Sequence, residues 1–319
     1  MISLGIETSC DDTSVGIVKE GTKVLACVTQ SSEKFHKKFG GIVPEIAHRK
    51  HLEFIDKVLI KALEEAKLSL KQIDLICVTS EPGLVGSLLI GINFAKALSF
   101  SLKKPLILVN HLHAHLYPVF FRKIKPTFPF IGLVASGGHT NLFLVENFDK
   151  IYNIGKTRDD AVGEAFDKVA KILGLGFPGG PLIDKFSKNV KKSPFKFPYA
   201  KLEDSLDFSF SGIKTAVFYK IKELKNLTTQ VKRLIAAGFQ KSVIENLVYK
   251  CKLALKRYNI KTLVVGGGVA ANSLLRKELN LLKKDNIKVY LAPLKYCTDN
   301  GANTAGLGYK IFSLKCLAY

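Results

Sequence analysis

SLGIETSCDDTSVGIVKEGTKVLACV, residues 3–28, is the stretch on which the fold turns. It holds three short apolar runs, SLGIE, SVGIV and KVLACV, separated by the small polar turns TSCDD and KEGT, which is the composition of a strand meander. The same arrangement returns at residues 129–155, PFIGLVASGGHTNLFLVENFDKIYNIG, around the turns SGGH and NFD. The repeat lies in the order of elements and not in letter identity. A duplicated fold of this kind is expected to set equivalent turns face to face across a cleft.

Working outward, HLEFIDKVLIKALEEAK keeps a helical period through apolar positions 52, 55, 58, 59, 62 and 63. The strand IDLICVT, a glycine-punctuated helix from Leu84 to about Leu102 and the strand PLILVN follow. The second half continues with the helix AVGEAFDKVAKILGL, a long helix near residues 228–258, the strand TLVVGGG, the helix ANSLLRKEL, the strand IKVYLA and a last helix from about Gly301. Two meanders with helical crossovers predict two α/β lobes, each a mixed sheet covered by helices. The expected division is residues 1–126 for the first lobe and 127–300 for the second, with a C-terminal helix 301–319 packing back on the first. Residues 176–227, rich in Pro, Lys, Ser and Phe, have no counterpart in the first half and read as an insertion.

With 319 residues, 47% of them hydrophobic, the chain is long enough for two cores, and no run of eighteen uncharged apolar residues suggests a membrane span. The N-terminus enters a strand directly, without a basic region or cleavage site, so a cytoplasmic protein is expected. The six cysteines, at 10, 27, 77, 251, 297 and 316, show no paired spacing and read as reduced thiols. The formal charge of +21 suits a polyanionic partner, with lysines gathered at 34, 37 and 38, along 185–201, and at 220, 222 and 225. A general bias toward lysine accounts for the same charge without a partner.

His111 and His115 in HLHAH stand four apart, on one helical face, while His113 points elsewhere. Asp299, after the strand-like run KVYLAP, would complete a two-histidine, one-carboxylate metal set with open positions, suited to iron or zinc. The plain alternative is a pair of core or capping histidines. A zincin protease needs a glutamate directly after the first histidine, and Leu112 stands there. The glycine turns TSCDDTS, ASGGHT and TLVVGGGVAAN offer backbone amides to an anion, which together favour a split nucleotide fold, although each alone reads as structural. The GxGxxG spacing of a dinucleotide fold is absent.

Nine motifs in register, among them GIETSCDDTSVGIV, NHLHAHLYPV, ASGGHTNL, TRDDAVGEAFDKVAKILGLGFPGGPLID, GGGVAANSLLRKEL and CTDNGA, resemble the universal tRNA N6-adenosine threonylcarbamoyltransferases in their bacterial form, a family formerly described as O-sialoglycoprotein endopeptidases. The resemblance spans essentially the whole chain and implies the duplicated actin/Hsp70/sugar-kinase fold, two lobes around a nucleotide cleft. It implies that His111, His115 and Asp299 hold one divalent metal, Fe2+ ahead of Zn2+. It implies a substrate loop from Val134 through Ala135, Ser136 and Gly137 to Gly138, and contacts from Asp167, Gly180, Asp184 and Asn272 to the adenosine part of a bound nucleotide. The implied reaction transfers the threonylcarbamoyl group of threonylcarbamoyl-AMP to the exocyclic amine of the adenosine 3′ of the tRNA anticodon. Asp11, in the first-lobe turn, is our candidate for orienting or deprotonating that amine, and it could equally cap the turn. Implied partners are tRNA and helper subunits, one a shorter paralogue of the same fold and one an ATPase, meeting the helical face of the first lobe.

The chain departs from the family pattern at Glu81, His48, Asn303 and Thr304, the last two replacing an apolar pair. Archaeal and eukaryotic relatives carry a tyrosine ligand at the position of Val134, and valine leaves the site more open. Two other classes stay open at this point: a kinase-like ATPase of the same fold, and a catalytically silent tRNA-binding paralogue.

Overall fold

The structure, a computed structural model, describes residues 1–224 and 226–317, so Lys225 of the basic cluster and the last two residues of the expected C-terminal helix lie outside the described residues. Among the described residues the chain forms ten strands and ten α-helices. The first half holds β1 (Ile2–Glu7), β2 (Asp12–Lys19), β3 (Lys23–Ser31), α1 (Glu33–His36), α2 (Pro44–Ala66), β4 (Leu75–Glu81), α3 (Val85–Leu102), β5 (Leu106–Asn110) and α4 (His111–Leu116). The second half holds β6 (Phe130–Ala135), β7 (Thr140–Val145), β8 (Ile151–Lys156), α5 (Val162–Leu173), α6 (Gly179–Ser187), α7 (Ser211–Glu223), α8 (Thr229–Arg257), β9 (Thr262–Gly266), α9 (Ser273–Leu281), β10 (Lys288–Leu291) and α10 (Gly301–Leu317).

The duplication expected from the meanders is present in the topology. One sheet runs β3-β2-β1-β4-β5 and the other β8-β7-β6-β9-β10. In each, the first three strands pair antiparallel and the last two join in parallel, with Gly5 opposite Gly16 and Cys77 in the first sheet and Gly132 opposite Phe143 and Val264 in the second. Central strands β1, β6 and β9 are buried along nearly their whole length, so each sheet is covered on both faces. This is the α/β architecture predicted from the sequence.

Helix α2 begins at Pro44, seven residues before the periodic run starts, because proline at the first helical position has its φ already set and gives up no hydrogen bond. The stretch 176–227 contains two helices, α6 and α7, and is not loop throughout. By length and composition alone α3 could cross a membrane, with a mean hydropathy of 1.5 over 18 residues. It lies along β4 and against α2.

The chain divides into two compact units. Unit 1 comprises residues 1–125, 148–150 and the chain from Thr298 onward, and its core gathers Leu4, Ile6, Val15, Ile17, Ile55, Leu59 and Val78 between sheet and helices. Unit 2 comprises residues 126–147 and 151–297, with Leu133, Phe166, Phe208, Phe239, Leu247 and Val265 at the centre of its core.

Candidate metal centre and nucleotide-site residues

Strand β5 ends at Asn110, whose side chain accepts hydrogen bonds from the amides of Leu112 (3.0 Å) and His113 (3.2 Å). That cap satisfies two otherwise orphaned donors and starts α4 on the next residue. His111 and His115 therefore share one helical face, both buried, with ring centroids 4.6 Å apart. The third member arrives from the other end of the chain. Asn300 folds the segment before α10, its side chain accepting from the Asn303 amide (3.1 Å) and donating to the Thr298 carbonyl (2.7 Å). The amide of Gly301 donates to Ser14 Oγ on β2 (3.0 Å). This docking brings Asp299 Oδ1 to 3.2 Å from His115 Nε2 and 3.7 Å from His111 Nε2. Gly5 and Gly301 make the approach possible, since a Cβ on Gly5 would overlap Gly301 O and the backbone of Ala305.

His111, His115 and Asp299 are the cluster among the described residues able to share a metal ion, their ligand atoms all within 4.8 Å of one another. Ligands held about 2.0–2.2 Å from one tetrahedral ion stand roughly 3.3–3.6 Å apart, which the two spacings to Asp299 bracket. His115 Nε2 is buried and, although 3.2 Å from Asp299, makes no hydrogen bond of acceptable geometry. A ring nitrogen aimed at a carboxylate without bonding to it is the arrangement of two ligands of one ion. The charge balance agrees. Burial, and then the negative charge of Asp299, push the carboxyl of Asp11 and the thiol of Cys10 above their ordinary values. Burial and the charges of Asp11 and Asp299 raise Asp12 to about 7. A cation beside Asp299 offsets the Asp299 contribution to each of these, and the donor set fits a divalent metal.

His113 stays out of the cluster, and burial lowers its pKa to about 4 against the pull of Glu81. Asp11 lies in the turn between β1 and β2, where its carbonyl accepts from the amide and hydroxyl of Ser32 (3.0 and 2.8 Å). The turn is braced further by two buried histidines. His51 bridges Thr13 Oγ1 (2.8 Å) and the Cys10 carbonyl (3.0 Å), while His36 Nε2 meets Ser32 Oγ (2.9 Å).

The residues expected at the nucleotide lie in unit 2. Val134 and Ala135 are buried within β6, paired with Asn141 and Thr140, so of the expected loop only Gly137 and Gly138 are exposed. Ser136 and Gly137 dock on the start of α5, their carbonyls accepting from the amides of Gly163 and Glu164 (both 3.1 Å). Asp167 Oδ1 accepts from the Gly179 amide at the start of α6 (2.6 Å), and burial raises its pKa to about 6. Asp184, also on α6, accepts from the amide and hydroxyl of Ser273 (3.0 and 2.7 Å). Asn272 caps α9 through the Leu275 amide (3.0 Å) and donates to Gln240 Oε1 (3.2 Å). Gly180 faces open space. Asp167 thus ties α5 to the start of α6, Asp184 ties α6 to the start of α9, and Asn272 caps α9 and meets α8.

Sequence reasoning missed Glu7, Asp12, Thr79 and His51. The signal for Glu7 was a carboxylate ending an otherwise apolar strand, a placement that demands partners.

The family model described as tRNA N6-adenosine threonylcarbamoyltransferase matches residues 23–306. A protein of that name from Dictyoglomus turgidum is 51% identical over 314 residues, covering 98% of this chain and 94% of the relative. Another from Thermosipho africanus is 52% identical over 316 residues, covering 98% and 94%. Among solved structures, HypF of T. kodakarensis superposes with a TM-score of 0.66 at 15% identity, covering 98% of this chain and 47% of that one. Component A of the Acidaminococcus fermentans (R)-2-hydroxyglutaryl-CoA dehydratase gives 0.59 at 15%, covering 98% and 99%. These two show the duplicated actin-like fold, and the close relatives show more: the chain belongs to the tRNA N6-adenosine threonylcarbamoyltransferase family and is an acyltransferase.

Proposed function

We propose that this chain transfers the threonylcarbamoyl group from threonylcarbamoyl-AMP to N6 of the adenosine 3′ of the anticodon in tRNA, with His111, His115 and Asp299 holding a divalent metal. The observation that carries the reading is the His/His/Asp set, two buried histidines and a partly exposed aspartate, in a chain about half identical, over nearly its full length, to transferases of that name. In the transfer the N6 amine attacks the carbamoyl carbon, the carbon–oxygen bond to the phosphate breaks, and AMP leaves with the electron pair. The amine is a weak nucleophile, so positioning and stabilisation of developing charge carry the catalysis.

Asp11 takes the proton released from the amine in this proposal. Its support is a carboxyl in the β1–β2 turn that burial pushes above the ordinary range, which favours accepting a proton. In unit 2 the loop Val134–Gly138 cradles the phosphate or carbamoyl group through its two exposed glycines, and Asp167, Gly180, Asp184 and Asn272 hold the adenosine. Bound to its three ligands, the ion supplies Lewis acidity for the charge that develops during transfer. Two histidines and one carboxylate with open positions suit Fe2+, and Zn2+ accepts the same donors.

Lys185, Lys188, Lys191, Lys192, Lys196 and Lys201 are all exposed, in a stretch that carries no carboxylate, and form the phosphate-binding surface for tRNA in this reading. The helper subunits, a shorter paralogue of the same fold and an ATPase, dock on the outer face of α2 and α3. That face leaves Leu52, Ile60, Val85, Leu89 and Phe100 exposed, Phe100 at 88%. The division into lobes 1–126 and 127–300, the insertion at 176–227 and a cytoplasmic location belong to the same proposal, which involves no membrane.

The test incubates the protein with the helper subunits, unmodified tRNA and fresh threonylcarbamoyl-AMP, then seeks threonylcarbamoyladenosine by mass spectrometry of the digested tRNA. Product from the native chain that vanishes with His111→Ala and His115→Ala is expected. Transfer that persists in a metal-free Asp299→Ala variant would remove the Lewis-acid role. No product from the folded, metal-loaded, fully partnered protein would remove the reaction.

A further inference from the structure

Glu7 ends β1 at 2% exposure, and its carboxylate faces three donors. Oε1 accepts from the Ser9 amide (2.7 Å), and Oε2 accepts from the Thr79 hydroxyl (2.6 Å) and lies 3.1 Å from His111 Nδ1. Thr79 Oγ1 is in turn 3.1 Å from the hydroxyl of Thr304 on α10, and both threonines are fully buried. A buried carboxylate persists only when such donors satisfy it. Glu7 is not among the residues able to share the ion, because it meets the far side of the His111 ring, away from Asp299.

We propose that Glu7 is a positioning residue for the metal centre: it accepts the Nδ1–H of His111, and thereby fixes the ring plane and the tautomer that turns the Nε2 lone pair toward Asp299. The hydroxyl pair Thr79–Thr304 braces Glu7 from behind. A ligating histidine whose other nitrogen donates to a carboxylate is both oriented and made a better ligand, and loss of such a partner typically weakens metal binding about 10- to 100-fold. The inference rests on the metal reading of His111, His115 and Asp299. Ser9 Oγ, also 3.1 Å from Nδ1, is the competing partner for the same proton.

Glu7→Gln preserves volume, but all three neighbours are donors, so at least one of them must meet the amide NH2: Ser9 N–H in one orientation, Thr79 and His111 in the other. Zn2+ affinity of the full-length protein, read by competition with a chromophoric chelator, is expected to fall about 10- to 100-fold in Glu7→Gln. Thr304→Val, which leaves Glu7 and the ligands in place, is expected to cost about three- to tenfold, the worth of one hydrogen bond. Ser9→Ala is expected to change the affinity less than threefold. In parallel, the metal-free protein should show a downfield His111 Nδ1–H proton resonance that survives Ser9→Ala and is lost or shifted in Glu7→Gln. Folded Glu7→Gln protein with Zn2+ affinity within twofold of the native chain would overturn the proposal. So would loss of the resonance in Ser9→Ala but not in Glu7→Gln. If Glu7→Gln does not fold, Thr304→Val and Ser9→Ala decide, and an unchanged Thr304→Val affinity beside a weakened Ser9→Ala one overturns it. A native chain that takes up no Zn2+ would remove the metal reading itself, whereas the Nδ1–H resonance would still report whether Glu7 holds the ring.

Discussion

Replacing Gly5 with alanine tests how the metal set is assembled. The added methyl would overlap Gly301 O and Ala305 N and stand 2.9 Å from Ala305 Cα, where ordinary contact needs about 3.5–4.0 Å. The start of α10 must therefore retreat by roughly 1 Å or more. Overpacking of this kind costs about 1–3 kcal/mol, which lowers Tm by about 2–12 °C for a unit of this size. Asp299 lies two residues before Gly301 and moves with it. Metal–ligand distances tolerate only about 0.2 Å, so Zn2+ affinity should fall at least tenfold, by the loss of one ligand's geometry. Thermal unfolding and chelator competition measure the two effects on the same sample. Gly41→Ala, whose added methyl meets nothing within 4 Å, serves as the control and should change neither. A Gly5→Ala protein with native Tm and native Zn2+ affinity would refute the argument that close approach of β1 and α10 places Asp299.

Other outcomes follow from single side chains. Asp167 has a folded pKa of about 6 against an ordinary 3.8, so the folded chain keeps a proton that the unfolded chain releases. Its contribution is fully present below about pH 4 and is lost as pH rises toward 6; Asp167→Asn should flatten that part of the urea-stability profile, and an identical slope in the variant would count against the shift. Lys250, fully buried, donates to the carbonyls of Leu202 (2.9 Å) and Ser205 (2.5 Å). Lys250→Met should cost about 1.5–3 kcal/mol in denaturant titration and speed proteolysis near residues 201–207, whereas unchanged stability would show that these bonds contribute nothing net. Lys191→Glu with Lys192→Glu should weaken tRNA binding and shrink the slope of log affinity against log salt by about 1–2, and an unaltered slope would place the RNA elsewhere.

Much of the fold was legible along the chain because strands and helices are local. Period-2 and period-3.6 patterns report which backbone face is buried, and the repeated meander predicted two lobes with a mixed sheet each, which the matching strand orders β3-β2-β1-β4-β5 and β8-β7-β6-β9-β10 bear out. The pairing of His111 with His115 was legible for the same reason, since a four-residue spacing and the capping Asn110 are properties of one short segment. The start of α2 was less so, because the first turn from Pro44 carries no clear apolar period.

What the sequence by itself determined was the duplicated α/β architecture and the family through motifs spread over the whole chain, and it named all three candidate ligands without showing that they meet. Tertiary structure decided that Asp299 reaches those histidines, because the approach depends on glycine backbone at Gly5 and Gly301 meeting across β1 and α10. It also decided that Glu7, Thr79 and Thr304 converge behind His111, and that Asp184 and Asn272 hold the start of α9. Local periodicity cannot report such sets, since their members are separated by most of the chain and meet only when sheet and helix pack closely enough for buried donors and acceptors to require one another.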